Sequence, residues 1–183
     1  MVPIVLMVLG TVILAAEFNF VLQLVWSKPT WIKEATQGLL GGSVWVTFLG
    51  LVVLAPITEE FLFRGVILQG FLRNYGRRKA IIVSALLFAL FHLNPWQFPV
   101  AFLSGVVLGW WLAVTGSLLP CLFGHALANS LTLLTSVIAR NRTSHSSAAN
   151  PPWPFWLVAG LLGAGLLATG AWLERRWRVR STT

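Results

Sequence analysis

Charge is scarce in this chain: only 10% of its 183 residues are Asp, Glu, Lys or Arg, and just five residues are acidic. A soluble globular domain averages about 25% charged residues. With 57% hydrophobic residues and a mean hydropathy of +0.80, that class is excluded and a multi-span membrane protein is indicated. Cysteine is nearly absent, and the single Cys121 lies within an apolar run, so there is no intrachain disulfide framework and no clue to a redox compartment. No basic residue precedes the first apolar run, which opens Met1-Val2-Pro3, and Ala15-Ala16-Glu17 is a poor cleavage site. The run therefore reads as a membrane span rather than a removable signal peptide. Period-two alternation is missing as well, which argues against a closed β-barrel and leaves an all-α polytopic bundle in one domain over residues 1–183.

Thirteen Lys and Arg against five acids give a formal charge of +8. In a soluble protein that balance would suggest nucleic acid. Here the basic residues cluster between apolar runs, so they read as topology signals and contacts with anionic lipid, with no nucleic-acid partner. At about 20 apolar residues per crossing, six spans are expected, at 2–26, 43–64 or beyond, 80–94, 98–115, 117–139 and 153–173. Between them lie Lys28 to Gly38, the basic turn Arg73 to Lys79, Asn94-Pro95-Trp96, the tight Thr115-Gly116-Ser117 turn, and a polar stretch from Arg140 to Pro154 that reads as a loop containing His145.

Arg73, Arg77, Arg78, Lys79, Arg175, Arg176, Arg178 and Arg180 then share one side, and Lys28, Lys33, Arg140 and Arg142 the other. The positive-inside rule places both termini in the cytoplasm, in the cell membrane if the source is prokaryotic. Trp26, Trp31, Trp96, Trp153 and Trp172 lie near span ends, as an interfacial aromatic belt would. Glu17, Asn19 and Gln23 are expected to turn inward and bond between helices, and Gly160, Gly163, Gly165 and Gly170 to pack closely or self-associate.

An ionised side chain at the bilayer centre costs about 2.5 to 3.5 kcal/mol on insertion scales, so each one in a span needs a partner or a wet cavity. Two of the five acids are adjacent, in Thr58-Glu59-Glu60-Phe61-Leu62-Phe63-Arg64. At 100° per residue, Glu60 and Arg64 share a helical face, whereas Glu59 diverges from Arg64 by about 140°. Glu60 is thus the ion-pair partner of Arg64, and Glu59 points elsewhere. Glu60 lies 16 residues before Gly76 and His92 lies 16 after it, which places them at equal height in an antiparallel hairpin. His125 and Asn129 are four apart on one face, with Cys121 a turn earlier. Glu59, His92, His125 and Asn129 are expected to converge on a buried, wet pocket.

These residues resemble the pattern of the CAAX-protease and bacteriocin-processing enzyme family of intramembrane proteases. The pattern is Glu-Glu-x-x-x-Arg, then Phe-x-x-x-His, then His-x-x-x-Asn, and it is met by Glu59 to Arg64, Phe88 to His92, and His125 to Asn129, in order on successive spans. The resemblance covers about residues 43–135. It implies that Glu59, helped by His92, activates a water that attacks the peptide carbonyl, that His125 and Asn129 stabilise the oxyanion, and that Glu60 and Arg64 orient the site. It also implies a membrane-associated protein or peptide as substrate: prenylated tails, peptide precursors and C-terminally anchored proteins all fit. Phe88 is assigned to packing.

Other readings of the same residues stay open. Two His and one Glu also form the ligand set of some zinc hydrolases, although the spacing is not a local motif such as His-Glu-x-x-His; no cofactor is expected beyond that alternative. Cys121 beside His125 has the spacing of a nucleophile and base, but nothing marks the thiol as activated. His92 and His125 are also conceivable axial ligands of a haem, a reading that leaves Glu59 and Asn129 idle. A non-catalytic membrane scaffold or immunity partner is the third class. The sequence does not set the oligomeric state.

Overall fold

The computed structural model describes residues 2–143 and 153–181, and every regular element among them is helical. In chain order the seven helices are α1 (Val2–Val25), α2 (Thr30–Gly41), α3 (Val44–Asn74), α4 (Arg77–Phe91), α5 (Phe98–Thr115), α6 (Leu119–Thr143) and α7 (Trp153–Ser181). Five of them are long and apolar enough to cross a membrane: α1, α3, α5, α6 to Ile138, and α7 from Leu157 to Arg176. The chain is an integral, multi-pass membrane protein.

The expected sixth crossing, 80–94, is the 15-residue α4. At 1.5 Å per residue it is about 22 Å long, short of a 30 Å hydrocarbon core. What stops it is local: Leu93 takes the left-handed backbone conformation (φ 50), and Pro95 comes two residues later. The helix therefore ends with His92 at its C-terminal cap. By contrast α5 ends at Gly116, whose φ of 65 suits a residue without Cβ, and the Gly116 N–H donates to Leu112 O at 2.8 Å. The segment after Lys28 also departs from expectation. Placed only as a connection between spans, it winds into α2 immediately after Pro29, a residue suited to a helix start.

Residues 140–143 continue α6 rather than opening a loop. The rest of the expected polar loop, with His145, lies outside the described residues, as does the side chain of Trp153.

α1 packs along α7, α4 along α5, and α5 and α6 both touch α1, so α1 meets three helices of the bundle. Its inner face gives Ile4, Met7 and Val8 to a core shared with Leu68, Ile81, Leu108, Trp111 and Cys121. Many other large apolar residues, such as Val46, Leu49 and Leu90, are exposed to the surroundings, as lipid-facing side chains must be.

Glycine sets the α1–α7 approach. A Cβ on Gly10 would lie 2.5 Å from Gly163 O and 2.8 Å from Leu167 N, and one on Gly170 would lie 2.7 Å from Pro3 O. Gly163 and Gly170 thus pack within the chain, whereas Gly165 faces open space. Gly10→Ala is expected to destabilise the protein by about 1 to 3 kcal/mol, because the obstructing atoms are backbone. Gly165→Ala should change stability by less than about 0.5 kcal/mol. Thermal unfolding in detergent checks both, and equal melting points would contradict this packing.

Two other expectations change. Trp96 is buried rather than interfacial: its ring packs at a tilt against Trp26, with centroids 4.7 Å apart, and donates its N–H to Trp26 O at 3.1 Å, tying the α4–α5 turn to the end of α1. In α1, Asn19 and Gln23 donate to carbonyls of their own helix, Ala15 and Asn19, and Gln23 is exposed. An amide four residues after a carbonyl satisfies it locally without a second helix.

Candidate active site

α3 is not a uniform helix. Over Phe48–Leu54 and Phe61–Leu68 it winds in the wider i→i+5 turn, and between them Ala55–Glu60 is regular. Such wide turns inside helices are frequent at functional sites, since each one inserts a residue and re-aims the side chains beyond it. Glu59 and Glu60 sit at the end of the regular stretch.

Glu60 is fully buried and its Oε1 accepts two hydrogen bonds, from Arg64 at 2.6 Å and from His125 Nδ1 at 2.7 Å. Arg64, 1% exposed, also reaches Gly105 O at 3.5 Å and lies over the Phe88 ring at 4.4 Å. The expected Glu60–Arg64 pair is present, and His125 completes it. An acid and a base 65 positions apart carry no spacing signal, which is why sequence reasoning missed that bond.

Glu59 turns the other way. Its Oε2 is 3.9 Å from His92 Nε2 and 3.8 Å from His125 Nε2, and it has no hydrogen-bond partner among the described residues. Both separations exceed hydrogen-bond distance, so Glu59 Oε2 bonds directly to neither ring. His92 Nδ1 lies 2.8 Å from Phe88 O, so it must carry the proton and donate, which leaves Nε2 facing Glu59. The same logic fixes His125: Nδ1–H donates to Glu60, and Nε2 faces Glu59.

Phe88 does more than pack. Its ring sits edge-on to both imidazoles, at 4.9 Å from His92 and 5.8 Å from His125, with Arg64 on it, so one aromatic residue spaces three site groups. Asn129 does not reach Glu59 by any direct bond; its amide donates to Leu51 O at 2.8 Å. Cys121 is buried and its thiol donates to Leu108 O at 3.2 Å, a packing contact. Among the described residues no set of three His, Cys, Asp or Glu is spaced to hold a metal ion.

Fold and site together define a polytopic helical membrane protein with a carboxylate held between two imidazoles. Residues 41–131 match the family model of the type II CAAX prenyl endopeptidases, Rce1-like. About half of the chain is thus an Rce1-like CAAX protease domain, in agreement with the motifs, and it places the protein among the membrane proteases. Neither the curated proteins nor the solved structures contain a match to the chain.

Proposed function

We propose that the protein is a glutamic-type intramembrane endopeptidase acting on a membrane-associated protein or peptide. The observation that supports it most is the Glu59 carboxylate, whose Oε2 is buried without a hydrogen-bond partner among the described residues and is faced by Nε2 of both His92 and His125. A water between them gives a proton to Glu59, with His92 orienting it, and its oxygen attacks the peptide carbonyl. The carbonyl oxygen becomes an oxyanion facing His125. Collapse breaks the C–N bond, and the proton held by Glu59 passes to the leaving amine.

For His125 to donate to the oxyanion its ring must carry both protons, since Nδ1–H is already given to Glu60. Arg64 and Glu60 orient the ring. The reading includes cytoplasmic termini, cleavage near the cytoplasmic leaflet, contact with anionic lipid at the basic turn, and no resident cofactor. The family's name points to prenylated CAAX tails as one substrate class to test.

The test uses the purified protein in lipid vesicles with a farnesylated CAAX peptide, the same peptide without the lipid, and a chelator arm. Cleavage is expected to survive the chelator and to fall by about 10²-fold or more in His92→Ala and His125→Ala. Loss with chelator and recovery with zinc would replace the glutamic mechanism by a metal-activated water.

A further inference from the structure

We propose that α2 is an interfacial helix: it lies along the membrane surface with its apolar face among the acyl chains, and Lys28 and Lys33 meet phospholipid phosphates.

α2 is twelve residues long. At 1.5 Å per residue that is about 18 Å, too short to cross a hydrocarbon core of about 30 Å. Its residue pattern suits a boundary instead. At 100° per residue, Trp31, Ile32, Ala35 and Leu39 fall within an arc of about 100°, and Thr30, Lys33, Glu34 and Gln37 fall within an arc of the same width on the opposite side. The protein covers little of the apolar arc. Ile32 is buried, but Trp31 and Leu39 are 64% and 62% exposed, and Ala35 is exposed too. A helix with Trp and Leu on one face and charge on the other settles at the boundary between headgroups and acyl chains. α2 lies almost wholly before the family match, which begins at residue 41.

Two observations name lipid as the cover of that face. The first is continuity with surface that already faces lipid. Only Gly42 and Ser43 separate α2 from α3, Thr47 Oγ1 donates back to Leu39 O at 3.1 Å, and Val44, Trp45 and Val46 beside that bond are exposed. The second is charge. Burial and then the neighbouring Lys33 both push the Lys28 ammonium below its usual pKa, so the two ammonium groups sit near one another at the start of α2. Lipid phosphates neutralise such a pair, and Trp26 and Trp31 flank it as residues at headgroup level do.

Held in this plane, α2 fixes the depth of both elements it joins. Its start follows Trp26, whose carbonyl holds Trp96 in the α4–α5 turn, and its end leads directly into α3, which carries Glu59. The placement does not rest on the protease reading.

Nitroxide accessibility tests it. Single cysteines replace Ala35 and Leu39 on one face and Glu34 and Gln37 on the other, all exposed positions, and the full chain is placed in vesicles of phosphatidylcholine and phosphatidylglycerol. The native Cys121 is buried, and wild type carried through the labelling reports any background. Oxygen collects among acyl chains, whereas a nickel chelate stays in water. The oxygen-to-nickel collision ratio is expected to be high for Ala35→Cys and Leu39→Cys and low for Glu34→Cys and Gln37→Cys. Lys28→Glu/Lys33→Glu should lower the ratio at Leu39→Cys, because carboxylates repel the phosphates.

Four labels equally open to the nickel chelate would put α2 in water and overturn the proposal. Labels at 35 and 39 shielded from both reagents would overturn it in favour of a protein cover, and spin–spin broadening that vanishes on dilution with unlabelled chain would identify that cover as a second copy. An unchanged ratio in the Lys28→Glu/Lys33→Glu background would overturn the phosphate contact.

Discussion

Glu59→Gln is expected to lower the cleavage rate by about 10²- to 10⁴-fold, the range contributed by a positioned general base, while the protein stays folded. The substitution keeps the shape of the side chain and removes only its capacity to take up a proton. Because Glu59 Oε2 is buried without a hydrogen-bond partner among the described residues, no bond that holds the fold is lost. Substrate affinity should change little, so the loss should appear in kcat rather than KM. A variant that keeps a tenth or more of wild-type activity would show that another group takes the proton.

Arg64→Ala should have the largest effect on stability. Arg64 and Glu60 are 1% and 0% exposed, and removing the guanidinium leaves a buried carboxylate with His125 as its remaining partner. Breaking a buried ion pair in this way costs about 3 to 5 kcal/mol. The contacts with the Phe88 ring and Gly105 O are lost too. Replacing both partners with leucine should cost less than Arg64→Ala alone, because no buried charge is left behind, although the orientation of His125 would be lost. Thermal unfolding of the three variants in one detergent orders them; an Arg64→Ala variant that melts with wild type would remove Arg64 from its structural role.

Much of this site is legible in the sequence because lipid makes polar residues conspicuous. Glu60 and Arg64 pair as their four-residue spacing requires, and Glu59 diverges from Arg64 to face His92 across the hairpin. The helix boundary at Gly116 arises from that residue in the same direct way. The features that were not legible depend on contacts between distant segments or on unannounced backbone conformations. The Glu60–His125 bond joins residues 65 apart. Trp96 looks like an interfacial anchor until the carbonyl of Trp26 is found beside its ring nitrogen. The early end of α4 rests on a left-handed Leu93, a conformation that a leucine does not announce. The wide turns of α3 are hidden in a continuous apolar run, with Pro56 as their one visible sign.

The central claim is that Glu59, His92 and His125, drawn from three helices, form a hydrolytic centre. It is tested most directly by mapping new protein termini across native membranes carrying wild type or Glu59→Gln at matched expression. The account predicts a set of termini present with wild type, absent with Glu59→Gln, and arising in membrane-associated proteins. Identical termini in the two membranes, with both proteins folded, would contradict it and turn attention to a scaffold role or to haem absorbance in the purified protein.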